Sequence, residues 1–134
     1  MTPPLHTIIL YARDMQRSAG FYRRFFGFTT TEEVVEGLIE LSAPGQGASI
    51  LIHQAARSVK LGQAGVKLMF SVEDVEGFKQ RCVDLGLDFG ATHQANGYAF
   101  ANAKDPDNNT VAISSRAFRA QAGSAGLPEA SEKV

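Results

Sequence analysis

Apolar and polar positions along this chain follow one order of elements, and follow it twice. Residues 7–11 (Thr-Ile-Ile-Leu-Tyr) are β-branched and apolar, and predict a strand. Asp14 stands where a helix N-cap would. Met15, Ser18, Ala19, Tyr22, Phe25 and Phe26 then recur at helical spacing, so a helix with one buried face is predicted up to Gly27. Extended runs follow at 29–35, 38–42 and 49–53, with Glu36-Gly37 as a tight hairpin turn and 43–47 as a longer loop. The order then repeats. Residues 66–72 predict a strand, Asp74 a cap, and Val75, Phe78, Cys82 and Leu85 an apolar helical stripe ending at Gly86. Extended runs are predicted at 89–92, 98–102 and 110–114. The last is launched from Asp105-Pro-Asp-Asn-Asn109, where asparagine tolerates left-handed backbone angles.

The layout is βαβββ twice, which predicts an α+β fold. Module one is read as residues 5–53, a linker as 54–65 and module two as 66–115, all within one domain over 1–115. Residues 116–134 are expected to hold a short helical turn near Phe118 and then a partly disordered tail. Gly20 and Gly77, inside the helices, each weaken them by roughly 1 kcal/mol unless something packs closely there.

Composition narrows the function. The chain has 134 residues, 44% apolar and 20% charged, with net charge −1. That balance carries no electrostatic footprint for nucleic acid or an anionic membrane. One cysteine excludes an internal disulfide framework. No apolar run reaches the roughly 20 residues that span a bilayer, and no signal-peptide pattern is visible, so a cytoplasmic protein is expected. No phosphate-binding glycine loop or nucleophile elbow occurs.

The run Tyr11-Ala-Arg-Asp14, with Ser18, Phe21-Tyr22 and Phe26-Gly27-Phe28, resembles the vicinal oxygen chelate superfamily, which contains glyoxalase I, bleomycin-resistance proteins and ring-cleaving dioxygenases. Ser71-Val-Glu-Asp74 and Asp105-Pro-Asp-Asn-Asn109 extend the resemblance over about residues 5 to 115. It implies paired βαβββ modules forming a curled mixed sheet around a cavity, and a homodimer. In metal-dependent relatives four inward side chains, His or Glu in many members, hold a divalent ion. The first-strand ligand lies seven residues before the capping Asp, which is Thr7 in one module and Lys67 in the other. The last-strand positions fall on Leu51 and Ala112. Leucine and alanine cannot ligate and an ammonium repels a cation, so no metal and no cofactor is expected.

His6 is out of register by one residue and is read as a surface histidine or, alternatively, a displaced ligand. Alternation puts Thr7, Ile9 and Tyr11 on one inward face with Leu51 and His53, and Met69, Ser71, Ala112 and Ser114 on the other module's inward face. Phe100, in the Tyr98-Phe100-Asn102 stripe, is read as lining the cavity or packing on a helix. His93 is read as exposed, Cys82 as an inert core thiol, and Asp105 and Asp107 as turn residues. Lys67, with His53, is the candidate catalytic group, a cation able to anchor a carboxylate, phosphate or enolate; the alternatives are a lysine that reaches solvent at the sheet edge or pairs with a structural carboxylate, and a His53 that only packs on its strand or lies exposed at the edge. Three functions follow from this. One is metal-independent binding of a small organic molecule. The second is a lyase, isomerase or epimerase using Lys67, and the third a metalloenzyme with relocated ligands.

Overall fold

The computed structural model of the protein describes residues 2–120; the expected tail beyond Ala120 lies outside them. The order of elements is β1 (Thr7–Ala12), α1 (Met15–Phe26), β2 (Leu38–Leu41), β3 (Ser49–Gln54), β4 (Lys67–Ser71), α2 (Val75–Leu85), β5 (His93–Gln94), β6 (Ala99–Lys104), β7 (Thr110–Ser114) and a 3-10 turn, Arg116–Phe118. The strands form two mixed sheets, β1-β3-β2 and β4-β7-β6-β5, neither of them closed. The chain divides into two compact units. The first runs to Gly65 and includes Lys104–Asn109; the second holds Val66–Ala103 and continues from Thr110.

Both helices begin and end as their sequences dictate. The Asp14 carboxylate accepts the Arg17 N–H and the Asp74 carboxylate accepts the Gly77 N–H, each satisfying an amide that the helix leaves unpaired. Gly27 and Gly86 close the helices in the left-handed conformation, at φ 77° and 106°. Gly77 has a reason to be glycine. A Cβ there would lie 2.3 Å from Asp74 Oδ2, so a side chain would push the cap carboxylate off its amide.

In the first unit, Met15, Ser18, Ala19 and Tyr22 form the buried face of α1, which packs on β1, β2 and β3. Ile39, Leu41, Ile50 and Ile52 meet it, all at most 2% exposed. The segment read as a linker is bound into this unit. Ala55 N–H donates to Ala12 O, and the Arg13 guanidinium donates to Ala56 O and Val59 O. In the second unit the core includes Cys82, Ala101, Val111 and Ile113. Phe78 and Phe89 meet edge to face, and Thr92 bridges Lys79 and Glu76, which holds α2 to the chain that follows it.

The 105–109 turn docks on α1 through two carboxylates, of which Asp105 is the buried one. Asp105 is 5% exposed. It accepts the Tyr22 hydroxyl at 2.7 Å, the Asp107 and Asn109 amides at 2.9 and 2.8 Å, and the Asn109 side chain at 2.9 Å. Asp107 in turn accepts the Arg13 N–H and the Ser18 hydroxyl. Asn108 takes the left-handed conformation, φ 67°, which bears out the reading of this stretch as a turn.

Two predicted strands are absent. Residues 29–35 make only isolated bridges, Thr29 to Ser42 and Val35 to Leu38. Between them the Thr30 and Thr31 hydroxyls accept the Glu32 and Glu33 amides, and Glu32 turns to φ 61° with its carboxylate drawn to Arg23. Threonine hydroxyls offer the backbone an alternative to a ladder, and here the alternative prevails. Residues 89–92 are likewise irregular, and the short strand β5 starts at His93. The Glu36-Gly37 turn forms as predicted, with both residues at positive φ (52° and 83°), as a two-residue hairpin loop demands.

Burial, and then the Asp105 charge, hold the Tyr22 phenol far above the usual tyrosine value. The folded phenol therefore keeps its proton where the unfolded one loses it. The resulting stability is present below about pH 10 and is lost as pH rises further. Tyr22→Phe should cost about 2 kcal/mol at pH 7, because Asp105 loses a donor. It should also remove an alkaline slope of roughly 1.4 kcal/mol per pH unit that the wild type shows above pH 10. Urea denaturation of both proteins at pH 7 and pH 11 checks this; equal alkaline slopes would refute it.

Candidate functional site

The β1-β3-β2 register sorts the first unit's candidate residues by face. Thr7 pairs with Ser49, Ile9 with Leu51 and Tyr11 with His53. Leu51 pairs onward with Glu40, and His53 with Leu38. Paired residues share a face, so Ile9-Leu51-Glu40 and Tyr11-His53-Leu38 form two rows on the side away from the α1 core. Ile9 and Tyr11 are each 51% exposed. The Tyr11 and His53 rings are 5.2 Å apart, and the His53 ring also shares a hydrogen bond with Gln54 O. His6 is exposed and bonds with the Thr7 hydroxyl.

A groove of about 550 Å³ opens on this face. Leu51 and Leu38 provide apolar lining, Val35 and the Thr29–Thr31 run one flank, and Glu33, Glu36, Glu40 and Ser42 the polar positions. Of the residues singled out from sequence, only Leu51 lines it; Thr7, Ile9, Tyr11 and His53 lie on the same face outside it. The flank was missed because 29–35 reads as a strand. Three consecutive threonines before two glutamates were the available signal, since such hydroxyls bond their own backbone.

In the second unit, Lys67 pairs with Thr110, Met69 with Ala112 and Ser71 with Ser114. The Lys67 ammonium stands 5.5 Å from the centre of the Phe100 ring, whose neighbour at 5.1 Å is His93. Phe100 therefore lies on the lysine's face. Lys67 has no hydrogen bond or ion pair among the described residues, and partial burial lowers its pKa below the usual lysine value. Met69 and Ser71 are open, whereas Phe100, Ala112 and Ser114 are 4%, 0% and 2% exposed and present little surface to a ligand. His93 is exposed as expected, at the start of the short strand β5. Cys82 is buried, and burial pushes its thiol up, away from nucleophilic reactivity.

The residues at the four positions that would hold a divalent ion do not fit one. Thr7, Leu51, Lys67 and Ala112 supply a hydroxyl, two hydrocarbons and a cation. Among the described residues no group of three or more His, Cys, Asp and Glu side chains is placed to hold a metal.

The glyoxalase/bleomycin resistance protein/dioxygenase superfamily profile matches residues 5–113, and the chain belongs to that family. It is similar in fold to TnmS3, an antibiotic binding protein from Streptomyces sp. CB03234 (16% identity, TM-score 0.70, 84% of this chain and 94% of the other). It is also similar to lactoylglutathione lyase from Agrobacterium tumefaciens (22%, 0.64, 84% and 94%). A third similar structure is the virulence protein STM3117 from Salmonella typhimurium (17%, 0.68, 85% and 97%). No functionally curated protein matches the chain.

Protein purified without an affinity-tag metal should carry far less than one equivalent of Ni, Zn, Mn or Fe by mass spectrometry. Its thermal midpoint should not move on chelation with EDTA. Near-stoichiometric metal would mean that ligands other than these four positions are used.

Proposed function

We propose that this protein binds a small organic molecule, without a metal, on the open face of its first sheet. The groove beside Leu51 and Leu38 carries this reading. It combines apolar lining with a few hydroxyls and carboxylates, the ordinary composition of a small-molecule site. A ligand covering about 200 Å² of apolar surface gains roughly 5 kcal/mol, part of which offsets its lost freedom of motion. The fold it shares with an antibiotic binding protein is compatible with capture. A thermal-shift screen of small amphiphilic compounds should yield ligands that stabilise the wild type. The same ligands should bind Leu51→Ala roughly fivefold more weakly, as about 1 kcal/mol of apolar contact is removed. Hits indifferent to Leu51 would place the site elsewhere.

A second reading rests on Lys67. A cation beside Phe100 with no carboxylate partner among the described residues is suited to anchoring a carboxylate or enolate, as a lyase, isomerase or epimerase requires. Because burial lowers its pKa, such anchoring is lost as pH rises through a value below that of free lysine. Lys67→Ala should then abolish turnover of an oxoacid substrate while leaving the thermal midpoint within a few degrees. Unchanged turnover would sink this reading and leave binding alone.

A further inference from the structure

The groove in the first unit is also a gap in a backbone ladder. Strand β2 is the edge of its sheet. On its outer side, Leu38 exchanges both backbone hydrogen bonds with Val35, and Ser42 exchanges both with Thr29. Outward-facing residues alternate along a strand, so Glu40, midway between these two, also directs its N–H and C=O outward. Nothing meets them. The intervening residues 30–34 bow away, their amides at Glu32 and Glu33 taken by Thr30 and Thr31, and Glu32 drawn to Arg23. Neither backbone group of Glu40 has a partner among the described residues. The groove opens at this gap, with Glu40 in its lining.

Charge narrows the occupant. Glu33, Glu36 and Glu40 line the groove, no basic residue does, and none of the three carboxylates is paired among the described residues. A concave site carrying one sign of charge concentrates ligands of the other sign.

We infer that the groove takes a small organic cation bearing an extended amide. The amide completes the ladder on the Glu40 N–H and C=O, as an added strand would, and the cation lies among Glu33, Glu36 and Glu40. An apolar substituent of the ligand rests on Leu38 and Leu51. This inference rests on the binding reading given above and specifies its ligand class.

The test uses the full chain, 15N-labelled, in low salt, titrated with N-acetyl-leucyl-lysine N-methylamide. The glutamate counterpart of that probe and an ester-for-amide analogue are run in parallel. The lysine probe should shift the Glu40 amide resonance and bind roughly tenfold more tightly than the glutamate probe, with the preference collapsing at about 0.5 M salt. The ester analogue should bind more weakly than its parent. The exposed double substitution Glu33→Gln, Glu36→Gln should cut the charge preference at least threefold. Equal binding of the two charges, an unmoved Glu40 resonance, or no shift at millimolar lysine probe would each overturn the inference. Failure of the inference is separable from failure of the binding reading. If screened compounds shift resonances of Leu38 and Leu51 without favouring cations, binding stands and the ligand class falls. If no compound shifts them, both fall.

Discussion

In the first unit the 105–109 turn is held to α1 around a buried carboxylate. Asp105 is removed from water yet fully occupied, by two backbone amides of its own turn, the Asn109 side chain and the Tyr22 hydroxyl. A buried carboxylate lacking such donors would be costly, so the turn and α1 each require the other. Asp107 adds the Arg13 amide and the Ser18 hydroxyl. Through these bonds a segment distant in sequence becomes part of the unit that contains the groove. Gly62 joins the same assembly. A Cβ there would meet Asn108 Cβ at 2.6 Å, so the chain read as a linker lies directly on the turn.

The groove arises from a local competition that the ladder loses. Residues 29–35 have enough β-branched character to pair with β2 along their whole length, and they pair at both ends. In the middle, threonine hydroxyls and the Arg23–Glu32 ion pair satisfy the segment without β2. What they release is an unpaired stretch of sheet edge beside apolar side chains. Exposed edges are usually covered or blunted. Here the edge is left open in a concave setting, the feature on which the proposed binding rests.

The chemistry available is shaped by what stands at the positions where relatives place metal ligands. An ammonium, a hydroxyl and two hydrocarbons, the groups at the positions the resemblance assigns to metal ligands, have no affinity for a divalent ion. The Lys67 ammonium lies over the Phe100 ring, and the hydration it gives up on partial burial lowers its pKa. The fold accommodates capture and catalysis alike, so function has to be argued from such side chains.

Much of this protein was legible in its sequence because the signals are local. The duplicated βαβββ order, both Asp caps, both glycine stops and the Glu36-Gly37 hairpin depend on neighbours a few residues away. Strand alternation likewise identified Leu51, His53, Ile9 and Tyr11 as sharing a face, since the side-chain period of a strand is independent of the rest of the fold. The failure of 29–35 to become a strand is partly local, in the threonine hydroxyls that take the Glu32 and Glu33 amides, and partly tertiary, in the pairing of Glu32 with Arg23 of α1. The capture of the 105–109 turn by Tyr22 was decided by tertiary structure, which brings together residues 83 apart in the chain. No local pattern encodes a contact at that range; it exists only because burial makes an unmet hydrogen bond at Asp105 expensive.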